Sequence, residues 1–435
     1  MDIKSIIEKK RKKAELNKDE ILYFVSNYAR NELKDSQVGA LFSYIYINGL
    51  TEDEMYYFIK AISETGDRIE LSKISSDIVD RHSTGGVGDK VSLIIMPILA
   101  ALGVPNAKVL SDRYPIDKGL IKKMQIIPGF RTEISSDEFT TELGSLKMSL
   151  MSGDFNFAPA ESKLYTLRNE ISCSDSIPII AVSLMSMKVA KGGDKLVFDL
   201  ACGRGTYLQN KEEAKRLARL LIRLGERFGK KVKCIIADIN EPLGYNFGNV
   251  LELKETIDFL NGKMAPDLKE VVIKICETML SYNYKPEKKE NVADKILEVI
   301  NNKSALEIFK KFVQYHNGDL SKIDDPNKLP KASNVLPVMS KSSGIVEEID
   351  KDMVGSIARY LGAGRMKDDF DFERVSGIEL KVKIGESVKV GDILAYIHTN
   401  DDSKVLGATH NLIDAFKISD KVKKLKPRTV EVVDK

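Results

Sequence analysis

The 435-residue sequence contains no tryptophan, only four cysteines and only four histidines. The cysteines, at positions 173, 202, 234 and 276, form no C-x-x-C pair, so we expect four reduced thiols rather than a zinc site. The histidines (82, 316, 398 and 410) are far apart in the sequence, which excludes an HExxH zinc motif. Phenylalanine and tyrosine are modest in number and tryptophan is absent, so no stacking platform of interleaved aromatics and cations stands out.

Neither sign of charge dominates, because 67 basic residues face 64 acidic ones and the net charge is +3. This balance gives no argument for a nucleic-acid partner. The first residues are charged and lack the apolar core of a signal peptide. The longest apolar stretch, 91–104, contains a proline and is too short for a membrane span, so it predicts a buried helix. We therefore expect a cytoplasmic protein with no membrane partner and no nucleic-acid partner.

The length predicts two or three domains. Residues 1–65 show helical spacing of apolar residues, and two capping boxes begin helices there, Asn17 with Glu20 and Thr51 with Glu54. We expect a helical domain formed by 1–65 and about 159–192.

Strands and helices alternate over 75–158 and 193–320, which predicts a parallel α/β domain. The clearest strand candidates are "NAKVL" (106–110), "LVFDL" (196–200) and "VKCIIAD" (232–238). A ligand of such a sheet binds at the carboxyl ends of the strands.

Residues 321–345 are rich in proline, serine, asparagine and lysine, which predicts a linker. Residues 346–435 have short alternating segments with turns at Gly385 and Gly391, which predicts a C-terminal α+β domain. The pattern resembles a lipoyl-like hammerhead, but no lysine stands at the tip of a hairpin in a suitable motif. We interpret this segment as a structural barrel.

The stretch "RHSTGGVGDK" (81–90) joins a short apolar run to the long one at 91–104. A glycine loop between a strand and a helix exposes backbone N–H groups, which bind anions at the helix N-terminus. Hydroxyls and cations stand around the glycines, on Arg81, His82, Ser83, Lys90 and Ser92. The loop is not a Walker A motif, and a plain glycine turn is the alternative.

A second glycine site, "LVFDLACGRGTYL" (196–208), looks like the first motif of S-adenosylmethionine-dependent methyltransferases. That fold requires an acid roughly 20 residues further on, at the end of the next strand. The next predicted strand ends instead at Asp238, which is about 39 residues after Asp199. A methyltransferase is therefore a remote alternative.

The stretch 164–195 carries Arg168 in a predicted helix and Ser183 at the start of another, after the strand-like "IPIIA". Arginine and serine together can bind the edge of a planar heterocycle. A surface ion pair is the alternative for this arginine.

Together these stretches resemble the pyrimidine-nucleoside phosphorylase and thymidine phosphorylase family, nearly from end to end. The matching stretches are "DRHSTGGVGDKVSL" (80–93), "LYTLR" (164–168), "SIPIIAVSLMSMK" (176–188), "EPLGYNFGNVLELKETI" (241–257) and "LGAGR" (361–365). The resemblance implies the nucleoside phosphorylase type II-like fold, with all-α, parallel α/β and C-terminal α+β domains. It also implies a homodimer in which phosphate attacks C1′ of a pyrimidine nucleoside and releases the base and a pentose 1-phosphate.

By position, the resemblance assigns catalytic roles to His82 and Arg168. It assigns phosphate binding to Arg81, Ser83, Ser92 and Lys108. It assigns binding of the base to Arg168, Ser183 and the position of Met187. It implies no organic cofactor, and for some members a monovalent cation such as potassium. The residues that match that cation site are Gly88, Leu243, Asn246 and Glu255. In other members a lysine like Lys90 could replace the ion.

Three departures from the family motifs weaken the expected chemistry. The motif K-x-S-G-R-G-L-G-H-T-G-G-T-x-D-K-L-E falls on "KVLSDRYPIDKGLIKKMQ", which puts leucines, Leu110 and Leu120, at the phosphate-binding serine and threonine. A slip of one residue would offer Ser111 instead, with Arg113 at the arginine. The phosphate lysine has become Arg81, and the base lysine has become Met187.

We therefore expect phosphorolysis to be impaired or altered. One hypothesis is an active enzyme with a rebuilt anion site, and Ser111, Arg113, Lys118, Lys122 and Lys123 are the candidate contacts. The other is a catalytically inactive paralogue that still binds pyrimidine or anion ligands.

Overall fold

The computed structural model describes residues 1–69, 71–84, 90–113, 117–203, 206–238, 241–286, 290–363, 374–420 and 430–434. The glycines at 85, 86 and 88 lie outside the described residues, and with them the expected cation ligand Gly88. In the described part of the chain, no helix has both the length and the apolar character needed to cross a bilayer.

The first part of the chain is helical. Its helices are α1 (Ile3–Arg11), α2 (Lys18–Ala29), α3 (Asp35–Asn48), α4 (Glu52–Ser63) and α5 (Leu71–Ile74). Both predicted capping boxes are confirmed: the Asn17 side chain accepts from Glu20 N at 2.9 Å and the Thr51 hydroxyl from Glu54 N at 3.3 Å. Each box satisfies N–H groups that a helix start leaves without an intrahelical partner.

Strands and helices alternate in the middle of the chain. Its first half contains β1 (Val79–Ser83), α6 (Val91–Ala101), β2 (Asn106–Val109), α7 (Lys118–Met124), α8 (Ser136–Leu146), β3 (Met148–Met151), α9 (Pro159–Glu170) and α10 (Ile177–Lys191). Its second half contains β4 (Lys195–Cys202), α11 (Lys211–Arg227), β5 (Lys231–Asp238), β6 (Asn246–Phe247), α12 (Asn249–Leu260), α13 (Pro266–Leu280), α14 (Val292–Asn301), α15 (Ser304–Tyr315) and α16 (Ser321–Asp324).

The last part of the chain is mainly antiparallel. It contains β7 (Asn334–Met339), β8 (Gly344–Ile349), α17 (Lys351–Leu361), β9 (Gly377–Leu380), β10 (Ser387–Val388), β11 (Ile393–Thr399), α18 (Val405–Asp414), β12 (Phe416–Ser419) and β13 (Val430–Val433). Two single 3₁₀ turns accompany these elements, at Pro326–Lys328 and Asp402–Lys404.

The central sheet has the order β13-β5-β4-β1-β2-β3, and its strands are parallel except for β13, which runs antiparallel to β5. Along β4, Phe198 and Leu200 join one apolar cluster with the helical bundle, while Val197 joins another with α6, α12 and α13. This alternation follows from the two-residue period of a strand. Helices therefore cover both faces, as a parallel sheet requires.

Helices α9 and α10 pack against the N-terminal bundle, α9 on α2 and α3, and α10 on α4. The strand-like interpretation of 177–181 was wrong, because these residues form the first turns of α10. Ser183 is thus in the second turn rather than at the helix start. Pro178 fits here because a proline in the first turn loses no intrahelical hydrogen bond.

The C-terminal strands form two antiparallel sheets, β10-β8-β12 and β6-β9-β11-β7, with α17 and α18 packed beside them. The described strands thus form two separate sheets, not the structural barrel expected from the sequence. The predicted linker 321–345 was also wrong in part, because it contains α16 and β7. Two strands cross the predicted domain boundaries: β6 pairs with β9, and β13 pairs with β5.

Candidate active site

A cavity of about 290 Å³ opens at the carboxyl ends of β1 and β2. It is bounded by the start of α6, by α7 and by the last turns of α10. Its wall contains five basic side chains, which are Arg81, Lys108, Lys123, Lys188 and Lys191. It also contains two carboxylates, Asp80 and Asp117, and the predicted site residues His82, Ser83 and Ser92. The position agrees with the rule that ligands of parallel sheets bind beyond the carboxyl ends of the strands.

Asp80 joins two of these lysines. Its Oδ1 is 2.7 Å from Lys108 Nζ, and its Oδ2 is 2.5 Å from Lys188 Nζ. Burial by itself raises the pKa of Asp80, but the two ammoniums outweigh it and hold this pKa below its usual range. Burial also lowers the pKa of Lys108 to about 8, although Asp80 opposes the change. The cavity floor therefore holds two positive charges around one negative charge.

Arg81 and Ser92 are brought together as the sequence suggested. Arg81 Nη1 donates to Ser92 Oγ at 3.1 Å, and its Nη2 pairs with Asp199 in the middle of β4. The Asp199 backbone oxygen in turn accepts from Thr84 N at 2.9 Å. This network fixes the chain immediately before the glycine loop.

His82 faces the cavity between the lysines. Its Nε2 has no hydrogen-bond partner among the described residues. Burial lowers its pKa well below the usual range, and the nearby Lys188 and Lys108 lower it further. These effects favour the neutral ring, whose Nε2 is buried at the cavity wall.

The second loop does not adopt the slipped alignment. Leu110 and Leu120 line the cavity, whereas Ser111 is not among the described wall residues. The Ser111 hydroxyl donates to Phe155 O at 2.5 Å, so it is used inside the loop. Arg113 pairs with exposed Asp154 at 2.6 Å rather than with a cavity group. The structure therefore does not bring Ser111 or Arg113 into the described cavity wall, and their role as anion contacts stays a prediction.

The cavity wall also contains charged side chains from α7, from the residue before it and from α10. Of these, Asp117 and Lys191 were not identified from the sequence. Asp117 Oδ2 accepts from Ser111 N at 2.9 Å and pairs with Lys191 Nζ at 2.5 Å. Lys123, a candidate contact, lines the cavity and pairs with Glu252 at 2.7 Å. The other candidates, Lys118 and Lys122, are half-buried and are not among the described wall residues.

The residues expected to bind a base form a buried cluster beside the cavity. Arg168 Nη2 donates to Ser183 Oγ at 3.0 Å, and its Nη1 is 3.4 Å from Glu161. The guanidinium also lies 4.6 Å from the ring of Tyr165, which belongs to the cavity wall. Burial raises the pKa of Glu161, although Arg168 and Ser183 oppose the change. Met187 is only 1 % exposed and packs in the apolar core, not in the described cavity wall.

The expected cation ligands surround a lysine. Lys90 Nζ donates to Leu243 O at 3.1 Å and Asn246 O at 2.8 Å, and it pairs with Glu255. Glu255 also accepts from Tyr245 N at 2.7 Å. A potassium ion on these oxygens would occupy the space of the ammonium, so the residues do not fit such an ion. Elsewhere in the described ranges, no cluster of three or more His, Cys, Asp or Glu side chains could hold a metal.

The loop that carries these carbonyls is also held by the C-terminal domain. Lys383 Nζ donates to Pro242 O at 2.8 Å and Gly244 O at 2.9 Å, and it pairs with Asp267 at 2.9 Å. Gly244 has φ +74°, and a Cβ there would lie 2.6 Å from a Glu255 oxygen. The position thus requires glycine both for its backbone conformation and for the approach of this carboxylate.

Three family models match the chain. Residues 4–66 match the helical bundle domain of a glycosyl transferase family, and residues 75–306 match its a/b domain. Residues 345–419 match the pyrimidine nucleoside phosphorylase C-terminal domain.

Curated relatives are similar over nearly the whole chain. Pyrimidine-nucleoside phosphorylase of Geobacillus stearothermophilus is 38% identical, with 92% of each chain covered. The enzyme of the same name from Bacillus subtilis (strain 168) is 37% identical, with 93% of each covered. Among solved structures, anthranilate phosphoribosyltransferase from Thermus thermophilus has a TM-score of 0.56 at 14% identity and covers 72% of this chain and 99% of its own. That likeness shows a shared fold.

Proposed function

Because this chain belongs to the pyrimidine-nucleoside phosphorylase family, we propose that it catalyses phosphorolysis of a pyrimidine nucleoside, with an anion site of altered composition. Phosphate attacks C1′, the C1′–N bond breaks, and the base leaves while a pentose 1-phosphate forms. The observation that carries the proposal is the cationic cavity beside the buried Arg168–Ser183 cluster. The cavity supplies positive charge for an anion, and the cluster supplies polar groups for a base.

The cavity is suited to an anion because its cations are fixed before the ligand arrives. Lys108 and Lys188 are held by Asp80, and Arg81 is held by Asp199. Prearranged charges in a buried site stabilise developing charge without reorganisation at the moment of reaction. The neutral His82 offers Nε2 to the same space, where it can accept a hydrogen bond from a protonated phosphate oxygen.

The base subsite supports the departure of a pyrimidine anion. Arg168 is always charged and carries an Nε that makes no hydrogen bond to any described residue. Ser183 and Glu161 orient the guanidinium, and Tyr165 stacks on it. Negative charge on the leaving base would be stabilised by this guanidinium.

The ammonium of Lys90 takes the place of the monovalent cation. Its ammonium sits among the carbonyls and the carboxylate that a monovalent cation would use. We expect a reaction that needs no added potassium.

We also place the protein in the cytoplasm as a homodimer that pairs through its helical domain. The four cysteines are free and buried, which agrees with a reducing compartment. Helix α3 carries Tyr46 and Ile47 on its surface, 40% and 72% exposed. Light scattering at several protein concentrations tests the dimer.

A second candidate function is ligand binding without turnover. It is favoured by Leu110 and Leu120, which place apolar groups where the family motif has hydroxyls. The test incubates the purified chain with uridine, thymidine and deoxyuridine, with and without phosphate, and follows free base by chromatography. Phosphate-dependent release supports the phosphorylase. A folded protein that binds uracil or thymine but releases no base overturns it in favour of the second function.

A further inference from the structure

The ion pair between Lys191 and Asp117 forms part of the cavity wall. The Lys191 and Asp117 side chains are 8% and 9% exposed, and Nζ lies 2.5 Å from Oδ2. Lys191 ends helix α10, whereas Asp117 lies immediately before α7. The pair therefore joins the two sides of the cavity.

Lys191 and Lys188 are three residues apart on α10, so they are neighbours on one helical face. Both line the cavity, and Lys108 faces them from β2 across Asp80. Three ammoniums thus converge on one space. Each of them is paired with a carboxylate.

Part of the cavity wall is apolar. Val109, Leu110 and Leu120 are apolar, and the nearest loop serine, Ser111, is engaged with Phe155. None of the described wall residues between 108 and 123 carries a side-chain hydroxyl, so an anion beside this loop relies on the ammoniums. Hydrogen bonds from an ammonium to a phosphate oxygen are roughly twice as strong as those between neutral groups.

We propose that Lys191 binds the attacking phosphate, and that Asp117 holds Lys191 at the cavity until the phosphate displaces it. The proposal rests on the proposed function for the identity of the anion, which is inorganic phosphate. Asp117 keeps a second partner when it leaves Lys191, because its Oδ2 also accepts from Ser111 N. Burial lowers the pKa of Lys191 although Asp117 opposes this, so the ammonium gains from a dianionic partner.

A structural ion pair and a ligand-exchange pair predict different outcomes for the two single substitutions. If the pair is only structural, Lys191→Gln and Asp117→Asn affect phosphate in the same direction. If phosphate displaces Asp117, Lys191→Gln removes a ligand and weakens binding, whereas Asp117→Asn removes a competitor and strengthens it. The direction of the Asp117→Asn effect therefore separates the two roles.

The experiment titrates inorganic phosphate into the full-length protein by calorimetry and measures KM for phosphate and for uridine. We expect Lys191→Gln to weaken phosphate binding about 10- to 100-fold, the range of a hydrogen bond to a charged group. Asp117→Asn should tighten it several-fold, and Lys191→Arg should stay within about tenfold of wild type. The matched control is Lys230→Gln: Lys230 is also 8% exposed, but its Nζ donates to Gly193 O at 2.7 Å outside the cavity wall.

Phosphate binding that is unchanged in Lys191→Gln, or weakened equally in both single variants, overturns the inference. So does a folded wild-type protein that binds no phosphate. The outcomes also separate this inference from the proposed function. Wild type that binds phosphate with the expected differences but releases no base refutes only the function. Wild type that turns over normally, with the same phosphate KM in Lys191→Gln, refutes only the inference.

Discussion

Asp80 on β1 and Lys188 on α10 form a buried ion pair at 2.5 Å. The contact connects the strand that leads into the glycine loop with the helix that carries Ser183. The anion side and the base side of the site are therefore linked through one carboxylate. We therefore expect a substitution in this pair to affect both the anion side and the base side of the site.

Asp80→Asn should lower the free energy of unfolding by about 3–5 kcal/mol, because it leaves two buried ammoniums without their carboxylate. Denaturant unfolding measures the change. The control is Asp194→Asn, since the Asp194 side chain is 45% exposed and lies 3.4 Å from Lys230; the substitution should cost less than about 1 kcal/mol. Equal losses in the two variants would contradict the importance of the buried pair.

The affinity for phosphate should fall as the pH rises above about 8. Burial lowers the pKa of Lys108 to about 8, so its ammonium is present below this pH and lost above it. KM for phosphate should rise about tenfold between pH 7 and pH 9, because one unit above its pKa a group is about one tenth protonated. Lys108→Arg keeps its charge in this range. A variant with the same pH dependence as wild type would show that another group titrates.

Lys90→Ala should make the stability depend on potassium. The substitution leaves Glu255 and two carbonyls around an empty space, which costs about 3–5 kcal/mol and which a potassium ion can partly recover. Urea unfolding in potassium chloride and in tetramethylammonium chloride measures the difference. Lys10→Ala is the control, because Lys10 forms a similarly buried pair with Glu54 at 2.7 Å. Stabilisation of both variants by potassium would show a general salt effect.

Arg168→Gln should reduce kcat/KM for the nucleoside by roughly 10²–10³, the cost of losing one donor to a developing charge. KM for phosphate should stay the same, since Arg168 is not among the described residues of the cavity wall. Steady-state kinetics with each substrate varied in turn gives both values. The control is Arg216→Gln on the exposed face of α11. A larger effect on phosphate than on the nucleoside would place Arg168 on the anion side.

Local sequence signals predicted the elements that depend on local physics. The capping boxes at Asn17 and Thr51 fix helix starts within a few residues, and both were recognisable. The strand 232–238 was predicted because its apolar residues, which are continuous over 234–237, suit a strand buried on both faces. The start of α10 was not, because a helix buried all round has no amphipathic period to distinguish it from a strand.

The charged part of the site could not be predicted from the sequence, because it depends on long-range pairs. Asp117 and Lys191 are 74 residues apart, and Asp80 and Lys188 are 108 apart. Neither separation corresponds to a recognisable sequence motif. The choice between Leu110 and Ser111 was also open, since only the packed loop shows which of two neighbours faces the cavity.

The pairing of β13 with β5 in the central sheet has a consequence for the order of folding. Strand β5 has its outer edge covered by β13, which comes from the far end of the described chain. During synthesis this edge stays uncovered until β13 has left the ribosome, about 190 residues after β5, and uncovered edges recruit other strands. Closing so long a loop is slow compared with local helix formation. The central sheet is therefore among the last parts of the molecule to be completed, although its strands are among the earlier ones made.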